Sequence, residues 1–530
     1  MAGLRPFGRS TAIKKFTANN KNQTQYAVNY TWRRVASQYT GIIMNYPRIP
    51  SFKTAADFRN HLKEIGADIE LDDKILSAAE GSPLAQKISY HGHEIGNRWC
   101  VLPMEGWDCL PNGAPSEYTR RRWMNFATSG AKLLFGCEAC AVMKTGKSNT
   151  RQFMLTEETF DAVKQLREDM VKAHAEKFGT ADDLYIGLQL THSGRYSHPN
   201  DDAKLESVTA YEHPLLDERF HCNASNVVKD EEIPEIVAHY GKAAKLAQKA
   251  GFDFVDIKVA HGYLGHEFLS AYTRPGKYGG SFENRTRFFR EIVEEVKKQA
   301  PGLELGMRFS IFDCIPFEPG PDRVGVPMER GEVKVGNYKY AFGGDGTGLG
   351  YDLTEPIKFL ELASSLGVEL ICTTVCSPYY NPHFQRPAYY PVSDGYLPPE
   401  EPILGAARQI NALAKIKEHF KDTNMLFIGA GYTCLQEYLV NIAQAAVRKE
   451  LVDFAGYGRL VLSYPEIVAD TLSGAPLNTR RICRTFGDCT TAPRNGLISG
   501  CYPLDDHYKC LPECDKLKCY KQQIKEKFAK

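Results

Sequence analysis

From about residue 98 the chain alternates short apolar runs with longer amphipathic stretches, and it does so eight times. A strand buried on both faces reads as a near-continuous apolar run, and a helix laid against it carries one apolar stripe, so the alternation predicts parallel strands joined by helices. The runs are RWCVLPM (98–104), AKLLFGC (131–137), LYIGLQL (184–190), FDFVDIKV (252–259), LELGMRF (303–309), VELICTT (368–374), NMLFIGA (424–430) and VDFAGYG (452–458). Between them lie stretches such as EETFDAVKQLREDMVKAHAEKF, PEIVAHYGKAAKLAQKAG and ENRTRFFREIVEEVKKQA. The second of these ends on the glycine that commonly closes a helix. Eight such units in one stretch predict an α/β fold, a (β/α)8 TIM barrel enlarged by insertions, rather than two doubly wound domains. The expected organisation is a basic N-terminal extension with a helix (1–90), the barrel (91–475) and a Cys-rich C-terminal tail (476–530).

The largest insertion, roughly 312–352, is rich in Gly and Pro and contains FGGDGTGLG. That string fits G-x-G-x-x-G in no register and does not lie between a strand and a helix start, so it reads as a flexible loop rather than a dinucleotide site.

In a (β/α)8 barrel the functional groups gather at the carboxyl ends of the strands, often with a phosphate site after strands seven and eight. The informative residues fall there. Strand three ends in Gln189 and THSGR, strand five carries Arg308, strand seven opens into Gly429, Ala430 and Gly431, and strand eight ends in Gly456, Gly458 and Arg459. Small residues let backbone N–H groups approach a phosphate, and Arg459 can supply its counter-charge. Strand four delivers Lys258, His261 and Tyr263 in DIKVAHGYLGHEF. A lysine, a histidine and a phenol at one strand end can bind a polar oxygen and give up a proton beside it. A snorkelling lysine, a packed tyrosine and a structurally paired arginine are the bland alternatives, and His192 is as well explained as a structural histidine as by a pocket role.

Composition sets the class. The chain has 530 residues, 43% hydrophobic and 24% charged, with a net charge of +1, and it has no run approaching 18 apolar residues. A cytoplasmic globular protein with no nucleic-acid or membrane partner is therefore expected, with assembly into a homo-oligomer left open. Charge is uneven, because nine basic residues precede the first acidic one, Asp57, and the rest of the chain carries −8. A basic, acid-free start fits a mitochondrial transit peptide. Segments such as YAVNYTW and MNYPRIPSF look able to pack, and they favour an arm lying on the protein's own surface or on a neighbouring subunit. Within the same region TAADFRNHLKEIG is expected to be a helix.

Nine of the fifteen cysteines are scattered through apolar contexts, where cysteine serves as a small buried hydrophobe; the other six, Cys483, Cys489, Cys501, Cys510, Cys514 and Cys519, crowd the last 48 residues. Such crowding asks for a ligand or redox explanation.

The motifs IGNRWCVLPM, GCEACAV, GLQLTHSGR, AHGYLGHEFLS, YGGSFENRTRF, GMRFS, VDFAGYGR and YPEIVAD, in this order over roughly 80–475, resemble the Old Yellow Enzyme family of flavin oxidoreductases. That family includes 2,4-dienoyl-CoA reductase and trimethylamine dehydrogenase. The resemblance implies FMN as cofactor and NADH or NADPH as reductant. Pro103 and Met104 would line the flavin with their backbone, Ala139 would border its ring and Gln189 would bond its pyrimidine edge. Arg308 would stand near flavin N1 and the C2 carbonyl, where a cation stabilises the anionic reduced ring. Ala430, Gly431, Gly458 and Arg459 would grip the phosphate. The expected activity is NAD(P)H-driven reduction of a small molecule with an activated alkene: hydride from flavin N5, the carbonyl oxygen held by His261 and Lys258, and the proton from Tyr263.

Two positions depart from the pattern. The commoner trio begins with histidine, whereas Lys258 brings a point charge that could bind a carboxylate or polarise a carbonyl. Glu105 stands where relatives often carry Thr or Cys near flavin N5 and the C4 carbonyl; a carboxylate there opposes formation of the anionic ring unless Lys258 or another cation pairs with it. Pairing of Glu105 with an arginine, as a structural ion pair, is the competing expectation.

Some relatives hold a 4Fe-4S cluster after strand eight through three close cysteines and a fourth beyond an eleven-residue gap. Cys489 and Cys501 reproduce the gap, but CRTFGDC has no cysteine between Cys483 and Cys489. A fourth ligand from Cys510, Cys514 or Cys519 could still complete a metal or cluster site, and reduced structural thiols are the favoured reading, so no metal ligands are assigned. The chain runs about 70 residues past strand eight, without the nucleotide-binding domains of the dienoyl-CoA reductases, which favours direct reduction of FMN by NAD(P)H. Two other readings remain: oxidative cleavage of a C–N bond on the same flavin face, and an electron-transfer module in which the tail binds an Fe-S cluster or metal.

Overall fold

A computed structural model describes residues 46–529 apart from Asp394. The expectations for most of the basic start, transit peptide or surface arm, fall outside the described residues.

Eight parallel strands close into a barrel: β1 (Trp99–Val101), β2 (Leu133–Leu134), β3 (Tyr185–Thr191), β4 (Phe254–Val259), β5 (Glu304–Ser310), β6 (Leu370–Thr374), β7 (Leu426–Gly429) and β8 (Phe454–Tyr457). Each sequence run expected as a strand overlaps one of them, with Tyr185–Thr191 and Glu304–Ser310 each running one residue further. Every residue of β3 and of β4 is buried, as strands with helices outside and side chains inside must be. Closure comes through β8 pairing with β1 (Ala455 opposite Trp99) and β2 pairing with β3 (Leu133 opposite Tyr185).

Strand β2 breaks after two residues. Gly136 and Cys137 both have positive φ, 88° and 42°, and the chain resumes as Ala139–Ala141 beside β3, with Ala139 opposite Gln189. A Cβ on Gly136 would stand 2.9 Å from Gln189 Cβ, so both backbone and space there require glycine.

Seven longer helices flank the barrel after α1 (Ala55–Glu64): α2 (Glu117–Ala127), α3 (Phe160–Phe178), α4 (Ile233–Lys249), α5 (Arg287–Gln299), α6 (Thr354–Ser365), α7 (Pro402–His419) and α8 (Leu439–Arg448). Helix α1 begins in a capping box, Thr54 Oγ1 accepting from Asp57 N–H and the Asp57 carboxylate accepting from Thr54 N–H, both at 3.1 Å. Helix α5 buries Phe288, Phe289, Ile292, Val293 and Val296 on one face, each worth about 1.5–3 kcal/mol when removed from water.

The amino-terminal mouth is covered by a short antiparallel pair, Ile88–Tyr90 with His93–Ile95. Tyr90 and Ile95 join the barrel-interior cluster, and the His91 ring is held between Glu304 and Glu369 at 2.7 and 3.0 Å. The opposite mouth is left for function.

Within the Gly/Pro-rich insertion the string FGGDGTGLG contains no helix or strand, as expected of a loop, while other parts of the insertion are ordered against the barrel. The insertion contains an antiparallel pair, Phe317–Pro319 with Gly325–Pro327, and buries Phe312, Ile315 and Phe342. One of its glycines serves close approach: a Cβ on Gly343, at φ 67°, would meet the Ile311 carbonyl oxygen at 2.7 Å.

The segment after β8 folds back over the carboxyl-end mouth. It carries a short helix, Asp488–Arg494, and a terminal one, Glu513–Ala529, around a small core of Ala492, Leu497, Tyr502, Tyr508 and Leu517. Arg121 on α2 clamps Asp505 with two hydrogen bonds of 2.8 and 3.1 Å, and Ser499 Oγ accepts from Trp107 N–H at 3.1 Å. Among the described residues no helix is long and apolar enough to cross a membrane.

Candidate functional site

At the carboxyl ends of the strands lies a cavity of about 280 Å³. All thirteen residues to which the resemblance gives a catalytic or flavin-side place line it: Pro103, Met104 and Glu105 beyond β1, Ala139 beyond the β2 break, Gln189 in β3, Lys258, His261 and Tyr263 at and after the end of β4, Arg308 in β5, Ala430 and Gly431 after β7, and Gly458 and Arg459 after β8; Gly429 and Gly456, also noted at strand ends, do not. The barrel register is what gathers them, since Lys258 stands directly opposite Arg308 and Gln189 opposite Asp256.

One half of the cavity is organised around Glu105. Its Oε2 accepts from the Tyr263 hydroxyl at 2.7 Å and lies 3.4 Å from Lys258 Nζ, while Oε1 accepts from the Ser148 hydroxyl. The ammonium of Lys258 sits 3.7 Å above the Tyr263 ring, and the Tyr263 hydroxyl lies 2.8 Å from that of Tyr379. Lysine, not arginine, therefore partners Glu105. Burial lowers the Lys258 pKa and Glu105 works against that shift; burial, then the Glu105 charge, raises the Tyr263 phenol well above its ordinary value. Tyr263 is held as a neutral donor.

His261 occupies a left-handed backbone position, φ 67°, with Gly262 beside it at φ 76°. Non-glycine residues rarely adopt such a turn, and its presence beside the cavity marks a place where local strain is tolerated for side-chain placement. Burial, and then the neighbouring cations Arg308 and Lys258, hold its pKa well below 6.5, so the ring is neutral. The Gln385 amide donates to its Nε2 at 3.1 Å, which puts the ring proton on Nδ1.

The other half is polar and cationic. The Gln189 amide donates to the Asp256 carboxylate, which burial pushes up to about 7. Arg308 Nη1 donates to the Pro103 carbonyl at 3.3 Å, and its buried Nε has no partner among the described residues.

Several cavity residues were not found from the sequence. Tyr379, Gln385 and Arg386 follow β6, and Thr485, Thr490, Arg494 and Ser499 come from the tail, as does Cys489, which the sequence marked only as a candidate metal ligand. The rule that strand carboxyl ends carry function would have flagged SPYYN after LICTT; nothing local marks the tail residues. His192 takes no part in the cavity: it is buried, its Nδ1 accepts from Gly194 N–H at 3.1 Å, and burial pushes it down to about 3. Among the described residues no three His, Cys, Asp or Glu side chains are placed to hold a metal ion.

The model of the NADH:flavin oxidoreductase / NADH oxidase family matches residues 86–329. The chain is 31% identical over 229 residues to the NADPH dehydrogenase of Geobacillus sp. (strain WCH70), an alignment covering 42% of this chain and 62% of that protein. It is 30% identical over 268 residues to the putative 12-oxophytodienoate reductase 3 of Oryza sativa subsp. japonica, covering 48% and 65%. A third match, 44% identical to the NADPH dehydrogenase of Bacillus subtilis (strain 168), covers 116 residues, 21% of this chain and 32% of that one. The chain thus spans less than two thirds of the length of these relatives. Among solved structures, the Zymomonas mobilis old yellow enzyme homologue superposes with a TM-score of 0.51 at 20% identity, over 74% of this chain and 94% of that one. A 2-naphthoyl-CoA reductase complex superposes with a TM-score of 0.59 at 18% identity, over 82% and 58%. These likenesses speak for the barrel alone. Residues 86–329, which carry β1 to β5 and the cavity residues on them, thus match the NADH:flavin oxidoreductase / NADH oxidase family, and the chain is similar in sequence to NADPH dehydrogenases and a putative 12-oxophytodienoate reductase.

Proposed function

We propose that the cavity binds FMN and that the protein uses NADH or NADPH to reduce an activated C=C bond in a small molecule. The residues present suit FMN. The buried Arg308 Nε without a partner and the Gln189 amide offer donors to a pyrimidine edge, and Ala430, Gly431 and Gly458 leave backbone free to approach a phosphate beside Arg459. Bound FMN supplies the hydride chemistry at N5.

The observation that carries the reading is the placement of Tyr263, Lys258 and His261 in the same cavity as Gln189, Arg308 and Arg459. An unsaturated carbonyl substrate gains a hydride at its β-carbon and a proton at its α-carbon. His261, neutral with its proton on Nδ1, and the ammonium of Lys258 would hold the carbonyl oxygen and stabilise the negative charge it gathers. Tyr263 would give the α-carbon its proton. The Tyr379 hydroxyl, 2.8 Å away, would relay a proton from solvent to the Tyr263 phenolate, which the Glu105 charge disfavours, and take one from water in exchange.

Lys258 is already paired with Glu105, which argues for a neutral carbonyl substrate over a carboxylate. Anaerobic titration of the FMN-loaded protein tests the reading: NADPH or NADH should bleach the flavin, and an enone should restore its colour. A protein that takes up no FMN, or whose flavin answers to an amine and not to NAD(P)H, contradicts it.

A further inference from the structure

The cationic end of the cavity holds, besides Arg459, the guanidiniums of Arg386 and Arg494, neither of them singled out from the sequence. Arg386 comes from the loop after β6 and Arg459 from the end of β8, and both line the cavity. Among the described residues neither forms an ion pair with a carboxylate. Arg386 is fixed instead by the tail, its Nη1 donating to Thr490 Oγ1 at 2.8 Å. The Asp488–Arg494 helix that carries Thr490 is held against the same loop, with Thr485 Oγ1 accepting from Tyr389 N–H at 2.9 Å and Thr491 Oγ1 accepting from Ser393 N–H at 3.3 Å. Gly487 completes the fit, since a Cβ there would lie 3.1 Å from the Tyr390 carbonyl oxygen.

Two guanidiniums facing one cavity without a compensating carboxylate repel each other. Burial and the charges of Arg459 and Arg494 push the Arg386 guanidinium down to about 9. An anion of two charges removes that repulsion, and a guanidinium matches phosphate oxygens with paired N–H donors. The small residues beside them, Ala430, Gly431 and Gly458, leave room for such an anion at the backbone.

We propose that Arg386, held in place by Thr490 of the C-terminal tail, is a second guanidinium on the FMN phosphate, so that the tail acts as a clamp on the cofactor. The proposal rests on the reading that FMN fills this cavity. It makes the tail part of the cofactor site and gives Thr490 the role of a positioning residue.

The test is the affinity of the full-length apoprotein for FMN and for riboflavin, which lacks the phosphate, followed by flavin fluorescence. Arg386→Gln should weaken FMN about 10-fold or more and change riboflavin by less than about twofold, the size expected for one charge-assisted hydrogen bond. Arg386→Lys should keep most of the FMN preference, and Thr490→Val should lose part of it. Equal losses for FMN and riboflavin would make Arg386 merely structural and overturn the clamp. An unchanged FMN affinity in Arg386→Gln would overturn it too. If KM for NADPH then rises relative to NADH, the guanidinium serves the reductant's phosphate instead. A wild-type protein that binds neither flavin defeats the reading of the cavity itself, separately from the clamp.

Discussion

Lys258, which is buried, and Glu105, which is partly exposed, form an ion pair, Nζ to Oε2 at 3.4 Å, across the space between β4 and the segment after β1. Each residue alone breaks the family pattern, and the pair explains both departures: the carboxylate is tolerated because the lysine neutralises it. Replacing Glu105 with Gln leaves one uncompensated positive charge beside the flavin. The flavin midpoint potential of Glu105→Gln should therefore rise, by about 30 mV for each 1.4 kcal/mol of added stabilisation of the reduced ring. Spectroelectrochemistry on the FMN-loaded variant measures it, and a lowered potential would contradict the pairing argument.

Tyr263 donates to Glu105 at 2.7 Å and is held protonated by burial and by that charge. Tyr263→Phe should slow reoxidation of the reduced protein by an enone about 10²–10⁴-fold, the usual scale for a lost general acid. Reduction by NADPH should be unaffected, because the phenol acts only in the second step. Stopped-flow traces of the two half-reactions separate these outcomes.

Asp256 gives a pH dependence with a definite sign. Burial raises its carboxyl from 3.8 to about 7, so the folded protein holds a proton there that the unfolded chain has released. Stability from this group is complete below about pH 4 and is lost as the pH rises through 7. Asp256→Asn should therefore lose less melting temperature between pH 5 and pH 8 than the wild type, by roughly a few degrees. Parallel melting curves of the two apoproteins would remove Asp256 from the account.

Gly136 tests how the barrel places Gln189. Alanine there adopts a left-handed backbone at a cost of about 1–2 kcal/mol and brings a Cβ to 2.9 Å from that of Gln189. Gly136→Ala should lower stability by at least that amount in chemical denaturation and weaken FMN binding.

The barrel and the cavity walls on it were legible because each rests on local pattern. Runs such as FDFVDIKV encode a doubly buried strand, and residues such as Lys258 and Arg308 sit at fixed offsets from strand ends. The register that sets Lys258 opposite Arg308 then follows from closing eight such strands. Contacts made by chain return were not legible. Nothing in TTAPRNGLISG announces that Thr490 meets Arg386, 104 positions earlier, or that Ser499 meets Trp107. The cysteines beside those residues drew the reading toward a ligand set, and the uncharged Thr and Ser side chains that make the contacts have no periodicity to detect. The glycine string 343–350 is a loop, as its composition announces, but which of its glycines permit close packing was not legible: Gly343 is tightly packed and Gly346 stands in open space, and the two look the same in sequence.

The most direct test of the whole account is the anaerobic reaction of the protein's FMN, reduced by one equivalent of NADPH, with one equivalent of a simple enone such as 2-cyclohexenone. The flavin absorbance should return in full while one equivalent of the saturated ketone forms. A flavin that stays bleached, or that recovers without the saturated product, would contradict it.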